Sequence, residues 1–230
     1  MIRKGLLLST IPLVFMALLG AWAFSTVTPD ARFPVHFGMD GQPDRWGGPS
    51  ETFFAMVGVG VLVSAIFAVL PLLDPRGANL RRSSGFYLTC WIAALWFLAA
   101  LHAVMVLTAL DVIDLGPDMI IRVSACGVSL LLLVIGNVMG KSRPNWFAGI
   151  RTPWTLTSDI TWEKTNRLGG RLFVLVGAAG AVAAWLLPTA MALPGVVGGI
   201  CAVAAIAVAY SWFVWRSAPD RKPGPQVVDR

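Results

Sequence analysis

The residues whose types and spacing best suit binding chemistry lie between Gly136 and Gly170, a polar segment set between two long apolar runs. Cationic and aromatic side chains alternate in it: Lys141, Arg143, Trp146, Phe147, Arg151, Trp154, Trp162, Lys164 and Arg167. Arginine carries a planar fork of donors that suits carboxylates and phosphates, and indole rings favour the boundary of a membrane. The segment therefore predicts either an interfacial anchor or a shaped surface that recognises an anionic group.

Backbone signals divide this polar segment into shorter pieces. Pro144 and Pro153 exclude one continuous helix through it. Ser158 is placed to cap a short helix that ends at Gly169-Gly170, with Trp162 on the membrane side. We expect residues 136–170 to form a loop whose candidate ligand-binding or partner-binding residues are Asn137, Lys141, Arg143, Asn145, Arg151, Thr152, Trp154, Ser158, Trp162 and Arg167.

A second group of polar residues lies in residues 28–51, which are rich in Pro, Gly and Asp. Turn signals such as Asp40-Gly41 predict a compact, structured loop. Its candidate site residues are His36, Asp44 and Trp46. No recognised metal-ligand spacing links His36, Asp40 and Asp44, so neither a metal nor another cofactor is predicted.

Familiar catalytic patterns do not fit this sequence. Gly140-Lys141-Ser142 resembles part of a phosphate-binding loop, but that pattern requires a glycine at position 135, where the chain has Ile135. His36 and His102 are the two histidines, and neither belongs to a hydrolase motif. The cysteines, Cys90, Cys126 and Cys201, sit singly in apolar runs and indicate packing. We expect no enzymatic activity.

Composition decides the class of protein. Hydrophobic residues make up 57% of the 230 residues, charged residues 13%, and the mean hydropathy is +0.73. A chain this apolar is an integral membrane protein. The net charge of +6 does not indicate nucleic-acid binding, because the basic residues fall in the gaps between apolar runs.

Six apolar runs are each about long enough to cross a bilayer as a helix. They cover residues 5–27, 52–73, 86–110, 119–139, 172–191 and 195–215. The sequence thus predicts an all-α, polytopic membrane protein with six transmembrane helices, followed by a disordered tail at residues 217–230. The triplet Ala21-Trp22-Ala23 leaves open a cleaved signal peptide instead of a first span.

Lysine and arginine are distributed unevenly about these spans. Fifteen fall on the side of the two termini and of residues 136–170, and three, Arg32, Arg45 and Arg122, on the other. Basic residues accumulate on the cytoplasmic side of membrane proteins. Both termini and the 136–170 loop are therefore predicted to be cytoplasmic, and residues 28–51 extracytoplasmic.

Ionisable groups are scarce within the spans, which disfavours a pump or secondary transporter. Arg122 is one exception, and we expect it to pair with Asp118 one turn away. His102 is the other. Its position in the third span is compatible with a hydrogen-bonded packing role or with a pH-sensitive ligand contact.

Two sequence motifs resemble a known family. The run GNxxGKxRPNWFxGIRTPWTLxS, followed by Trp162 and TxRxxG, resembles the signature of the SdpI family of bacterial membrane proteins. The run PxHFxxxGxPDxWG at 34–47 resembles an element found near the first helix of SdpI-like proteins. Asn166 departs from the histidine expected before Arg167, which favours binding over proton-dependent chemistry.

The resemblance implies a multi-pass protein of the bacterial inner membrane. It implies immunity to a secreted peptide-like toxin outside, retention of a soluble ArsR-like repressor inside, or both, with membrane lipids as further partners. Two alternatives stay open: a membrane enzyme or lipid-handling protein that grips a phosphate headgroup with the cationic loop, and a small transporter.

Overall fold

The structure is a computed structural model that describes residues 1–38 and 42–221. Its helices and strands, in chain order, are α1 Ile2–Thr26, β1 Phe33–Phe37, β2 Pro43–Gly47, α2 Pro49–Leu73, α3 Gly77–Arg82, α4 Ser84–Ala109, α5 Pro117–Met139, α6 Pro153–Leu156, α7 Asp159–Leu186 and α8 Thr189–Arg216.

Six helices in the described part of the chain are long and apolar enough to cross a membrane, namely α1, α2, α4, α5, α7 and α8. Their outward faces carry large apolar side chains; Leu72 and Leu186, for example, are 72% and 77% exposed. Exposure on this scale is costly in water and favourable in lipid. The prediction of an all-α, six-span membrane protein is confirmed.

The helices pack as two groups, α1 with α2 and α4, and α5 with α7 and α8, and α4 joins them by packing on α5. The most extensive contact is between α5 and α7, where glycines bring the two backbones together. A Cβ added to Gly170 would lie 2.6 Å from the carbonyl oxygen of Gly136, and one added to Gly177 would lie 2.5 Å from that of Ser129. Small residues permit such close packing in lipid.

The course of α7 differs from the sequence prediction. The chain forms one helix from Asp159 to Leu186, so the short helix ending at Gly169-Gly170 and the span beginning at residue 172 are wrong. A glycine pair ends a helix when one residue adopts a left-handed conformation, but here both glycines lie within the helix, Gly170 buried against α5 and Gly169 against Ile150. Pro188 ends α7 instead, because the residue before a proline disfavours helical geometry.

The predicted structured loop contains an antiparallel hairpin. Phe33 pairs with Gly47 and Pro34 with Trp46, and the register is irregular at His36. The Phe33 ring packs on Phe53 of α2 with centroids 5.2 Å apart, which fixes the hairpin over the end of the helices. The predicted Asp40-Gly41 turn lies outside the described residues.

The predicted disordered tail is partly described. Residues 217–221 form a turn that packs beside the start of α7, where Asp220 accepts hydrogen bonds from Ser158 and Ile160. The rest of the tail, residues 222–230, lies outside the described part of the chain.

Candidate functional site

The connection between α5 and α7, residues 140–158, is packed across one end of the bundle; we call it the signature loop. Hydrogen bonds tie it to the connection between α2 and α4: Arg143 N to Ser83 Oγ (2.8 Å), Asn79 Nδ2 to Pro144 O (2.9 Å), Trp146 N to Asp74 Oδ2 (3.3 Å) and Arg76 Nη2 to Leu156 O (3.1 Å). Both groups of helices are thereby joined at this end.

Asn145 sets the conformation of the loop's first half. Its side chain is fully buried, and its amide nitrogen donates to the carbonyl oxygens of Arg143 and Ala148. Its amide oxygen accepts from the N–H groups of Phe147 and Ala148. A buried amide with four such bonds satisfies backbone groups that the turn leaves without partners.

Thr152 fixes the second half of the loop. It caps α6 in a reciprocal pair with Thr155, because each side chain accepts from the backbone N–H of the other residue. The Thr152 hydroxyl also donates to Ser211 Oγ of α8, at 2.9 Å. This buried contact fastens the loop to the last helix.

Ser158 caps α7 as predicted: its Oγ accepts from Thr161 N at 3.0 Å. The expectation that Trp162 faces the membrane is wrong. Its side chain is fully buried, and Nε1 donates to the carbonyl oxygen of Ser142 at 3.1 Å. A carbonyl of the loop can satisfy the indole N–H inside the protein, and so the ring packs inward.

Asn166 is a structural residue whose role the sequence did not reveal. It lies on α7, one turn after Trp162, and reaches the loop backbone at Ile150. The neighbouring Gly149 has φ +108°, and a Cβ there would lie 2.6 Å from Asn166 Oδ1. Glycine is therefore required at this point of the loop.

Four exposed side chains of the loop face outward, and we call them the basic face: Lys141, Arg143, Trp146 and Arg151. Arg151 Nη1 donates to the carbonyl oxygen of Trp146 at 2.7 Å, while the Trp146 ring is 46% exposed. Among the described residues, the Lys141 ammonium and the Arg143 guanidinium have no partner. Trp154, the remaining predicted aromatic residue of the loop, is half-buried. The basic face can therefore bind an anionic group through its free cationic side chains.

Two predicted residues lie apart from the basic face. Asn137 and Arg167 line a groove of about 470 Å³ between the C-terminal end of α5 and the middle of α7, together with Arg171. Arg167 forms an ion pair with Glu163. The structure therefore places nine of the ten predicted residues in three groups: Asn145, Thr152, Ser158 and Trp162 in contacts within the protein, Lys141, Arg143 and Arg151 on the basic face, and Asn137 and Arg167 in this groove.

At the opposite end, the hairpin covers a pocket of about 280 Å³ enclosed by α2, α4 and α5. Its wall is largely apolar and includes Met56, Met105 and Ile120, and the hydroxyl of Thr108 is buried there without a hydrogen-bond partner. A mostly apolar pocket with few polar groups is the usual form of a small-ligand site. We call it the hairpin pocket.

The predicted residues of the outer loop differ in their relation to this pocket, since Asp44 and Trp46 are not among the residues that line it. His36 lines it, and its Nδ1 lies 2.6 Å from Asp44 Oδ1. Both side chains are largely exposed, and the Trp46 side chain is 58% exposed. Within residues 1–38 and 42–221, no cluster of three or more His, Cys, Asp or Glu side chains is arranged to hold a metal ion.

Arg122 and His102, the two exceptions within the predicted apolar runs, both contact backbone carbonyl oxygens. Arg122 does not pair with Asp118: its Nη1 donates to the carbonyl oxygens of Ala184 (2.6 Å) and Leu187 (3.3 Å) at the end of α7. Those carbonyls have no partner inside the helix, so a cation is favourable there. His102 is fully buried, with Nε2 3.1 Å from the carbonyl oxygen of Met16.

This architecture is that of a multi-pass helical membrane protein with a polar loop fastened across one end. Residues 141–214 match the SdpI/YfhL protein family, and residues 11–61 match a domain of unknown function, DUF1648. The first match contains most of the signature loop with α7 and most of α8, and the second contains the hairpin. The resemblance to the SdpI family is thereby confirmed, as is a bacterial membrane location.

A similar curated protein is Immunity protein SdpI of Bacillus subtilis (strain 168), which is 34% identical to this chain over 89 residues. The aligned part is 36% of this chain and 43% of that protein. The match thus spans less than half of the relative's length. No solved structure matches the chain.

Proposed function

We propose that this protein is an immunity or receptor protein of the bacterial cytoplasmic membrane. In this role it protects the cell from a secreted peptide-like toxin, retains a soluble ArsR-like repressor at the membrane, or does both. The name of the curated relative supports the immunity role. The absence of a catalytic motif in the sequence is in keeping with binding rather than catalysis.

The observation that carries the proposal is the fixed conformation of the signature loop. An interfacial anchor requires only positive charge and apolar rings near the lipid. Here the backbone is held by Asn145, Thr152 and Asn166, whose side chains are buried. A loop held at so many points presents Arg143 and Trp146 in a defined arrangement, which favours recognition of a partner.

The hairpin pocket is the place we assign to the extracytoplasmic ligand. Its largely apolar wall suits an apolar side chain of a peptide, and Met56 and Met105 can adapt to its shape. It lies at the far end of α5 from the signature loop, so one helix contacts both proposed binding places.

The test compares variants of Arg143, whose guanidinium has no hydrogen bond or ion pair with any described residue. Arg143→Lys retains the charge but loses the planar fork, and Arg143→Gln loses both. Loss of a charged hydrogen bond costs about 1.5 to 3 kcal/mol, roughly 10- to 150-fold in affinity. We expect both variants to lose function at membrane levels equal to wild type, and Lys164→Arg, an exposed control on α7, to retain it.

The readouts are survival on exposure to a toxin encoded beside the gene, and the membrane-bound fraction of a repressor encoded there. A simple anchor would tolerate Arg143→Lys and fail with Arg143→Gln. Full activity of Arg143→Lys in both assays would therefore refute recognition by the basic face.

A further inference from the structure

The groove between α5 and α7 has chemistry that the proposed immunity role does not use. It opens on the outer surface of the bundle, where the two helices are in backbone contact at Gly136 and Gly170. Asn137 of α5 and Arg171 of α7 stand on its two sides, and both are exposed. Its volume of about 470 Å³ is enough for a phospholipid headgroup.

The two arginines of the groove are not equivalent. Arg167 is engaged by Glu163 one turn earlier on the same helix. Arg171 has no hydrogen bond or ion pair with any described residue, and neither has the side-chain amide of Asn137. The groove therefore offers a guanidinium and an amide that are both free to donate to an anionic oxygen.

The polarity of the groove changes along the axis of α7. Arg167 and Arg171 are four residues apart and so lie on one face, about 6 Å apart along the helix. Val174 and Leu175 continue that face, and Leu175 is 64% exposed. The groove is thus cationic toward the signature loop and apolar toward the middle of the span.

We propose that this groove binds one anionic phospholipid. The Arg171 guanidinium and the Asn137 amide donate to the phosphate, and an acyl chain lies on Val174 and Leu175. The planar guanidinium matches phosphate geometry, and basic sites between transmembrane helices select anionic headgroups. The apolar continuation identifies the ligand as a lipid, because a free phosphate has nothing to place there.

The location of the groove gives such a lipid a structural consequence. It borders Gly140, where α5 ends and the signature loop begins. A lipid held between Asn137 and Arg171 bridges α5 and α7 next to the loop that connects them. We expect its binding to stabilise the folded protein, since a ligand that binds only the native state does so by mass action.

The experiment uses the full-length protein, purified and delipidated in mild detergent. Phosphatidylglycerol and phosphatidylcholine with identical acyl chains are added separately, and native mass spectrometry measures the fraction with one bound lipid. Wild type is expected to prefer phosphatidylglycerol by about tenfold or more, and to melt at a higher temperature when it is bound.

Variants locate the site. Arg171→Gln should lose the preference, Arg171→Lys should retain part of it, and Asn137→Ala should weaken it. Lys164→Gln removes an exposed charge from the same helix outside the groove and should leave the preference intact. Melting temperatures without lipid report whether each variant is folded.

Three outcomes would overturn the proposal. The first is equal binding of the two lipids by wild type. The second is an equal loss in Arg171→Gln and Lys164→Gln, which would indicate diffuse attraction by the basic loop. The third is competition by inorganic phosphate at the same concentration, which would identify a phosphate site without lipid specificity.

Discussion

Asn166 of α7 accepts a hydrogen bond from the backbone N–H of Ile150 in the signature loop, at 2.8 Å. The same amide donates to the carbonyl oxygens of Ile150 (3.4 Å) and Trp162 (3.1 Å). One side chain therefore satisfies both backbone groups of the loop residue that follows Gly149, whose φ of +108° glycine adopts without strain. Asn166, where the sequence departs from the expected histidine, thus holds the loop backbone in place from α7.

The first prediction concerns this contact. Asn166→Ala leaves the half-buried Ile150 N–H without this partner, which should reduce the free energy of unfolding by about 1 to 3 kcal/mol. Chemical denaturation of the purified protein in detergent measures this free energy of unfolding. Lys164→Ala, exposed on the same helix, should change it by less than about 0.5 kcal/mol. Equal effects of the two substitutions would contradict the assigned role of Asn166.

The six spans could be predicted from the sequence because a bilayer requires about 20 apolar residues for each crossing. The start of α7 could also be predicted, from the cap at Ser158, but its continuation through Gly169-Gly170 could not. Gly169-Gly170 has the composition of a helix end in water, and the approach of α5 and of Ile150 makes it a packing surface. Composition does not reveal which helix lies opposite a glycine.

The signature loop was found by its residue types, but the contacts of those residues were not. Asn145, Thr152 and Trp162 were predicted to bind a partner because they lie among cations and rings, yet their side chains are buried in contacts within the protein. Thr152 contacts Ser211, which is 59 residues away. Such separations carry no periodic signal. That these residues also bind a partner stays a prediction.

The second prediction separates two explanations of Arg122. Since its guanidinium donates to carbonyl oxygens at the end of α7, Arg122→Gln should destabilise the protein by about 1.5 to 3 kcal/mol, the contribution of a charged hydrogen bond. Asp118 accepts instead from Thr189 Oγ1 at 2.8 Å, and Asp118→Asn preserves an acceptor there. Thermal unfolding of both variants measures which of the two contacts stabilises the protein. If Asp118→Asn were as harmful as Arg122→Gln, the ion pair predicted from the sequence would be supported.

The third prediction is a pH dependence at Asp220. Burial opposes ionisation of this carboxyl, but the Ser158 hydroxyl and the Ile160 N–H donate to it, so that its pKa is lowered from the ordinary 3.8. A lowered pKa in the folded state contributes stability above pH 3.8 and loses it as the pH falls through the lowered value.

Asp220→Asn should therefore melt below wild type at neutral pH, and the difference should shrink in acid below pH 3.8. Melting temperatures across this range provide the measurement. Asp114→Asn, in the exposed connection between α4 and α5, serves as the control for general charge effects. A difference between Asp220→Asn and wild type that stayed constant with pH would exclude ionisation of Asp220 as its cause.

The last prediction is the orientation of the bundle. The hairpin and the signature loop lie at opposite ends, since α2 begins beside the hairpin and ends at Leu73, beside the connection that the loop contacts. Fifteen of the eighteen Lys and Arg residues fall on the loop side of the spans. By the positive-inside rule the signature loop should be cytoplasmic and the hairpin extracytoplasmic.

Single cysteines in a background without Cys90, Cys126 and Cys201 can report this orientation. Ser50 and Lys141 are suitable because both are exposed, whereas the neighbouring Ser142 is buried and would resist labelling in either orientation. An impermeant thiol reagent should label Ser50→Cys in intact cells and Lys141→Cys only after permeabilisation. Labelling of Lys141→Cys but not Ser50→Cys in intact cells would show that the bundle has the opposite orientation. The basic face would then lie outside, where it could not retain a cytoplasmic repressor.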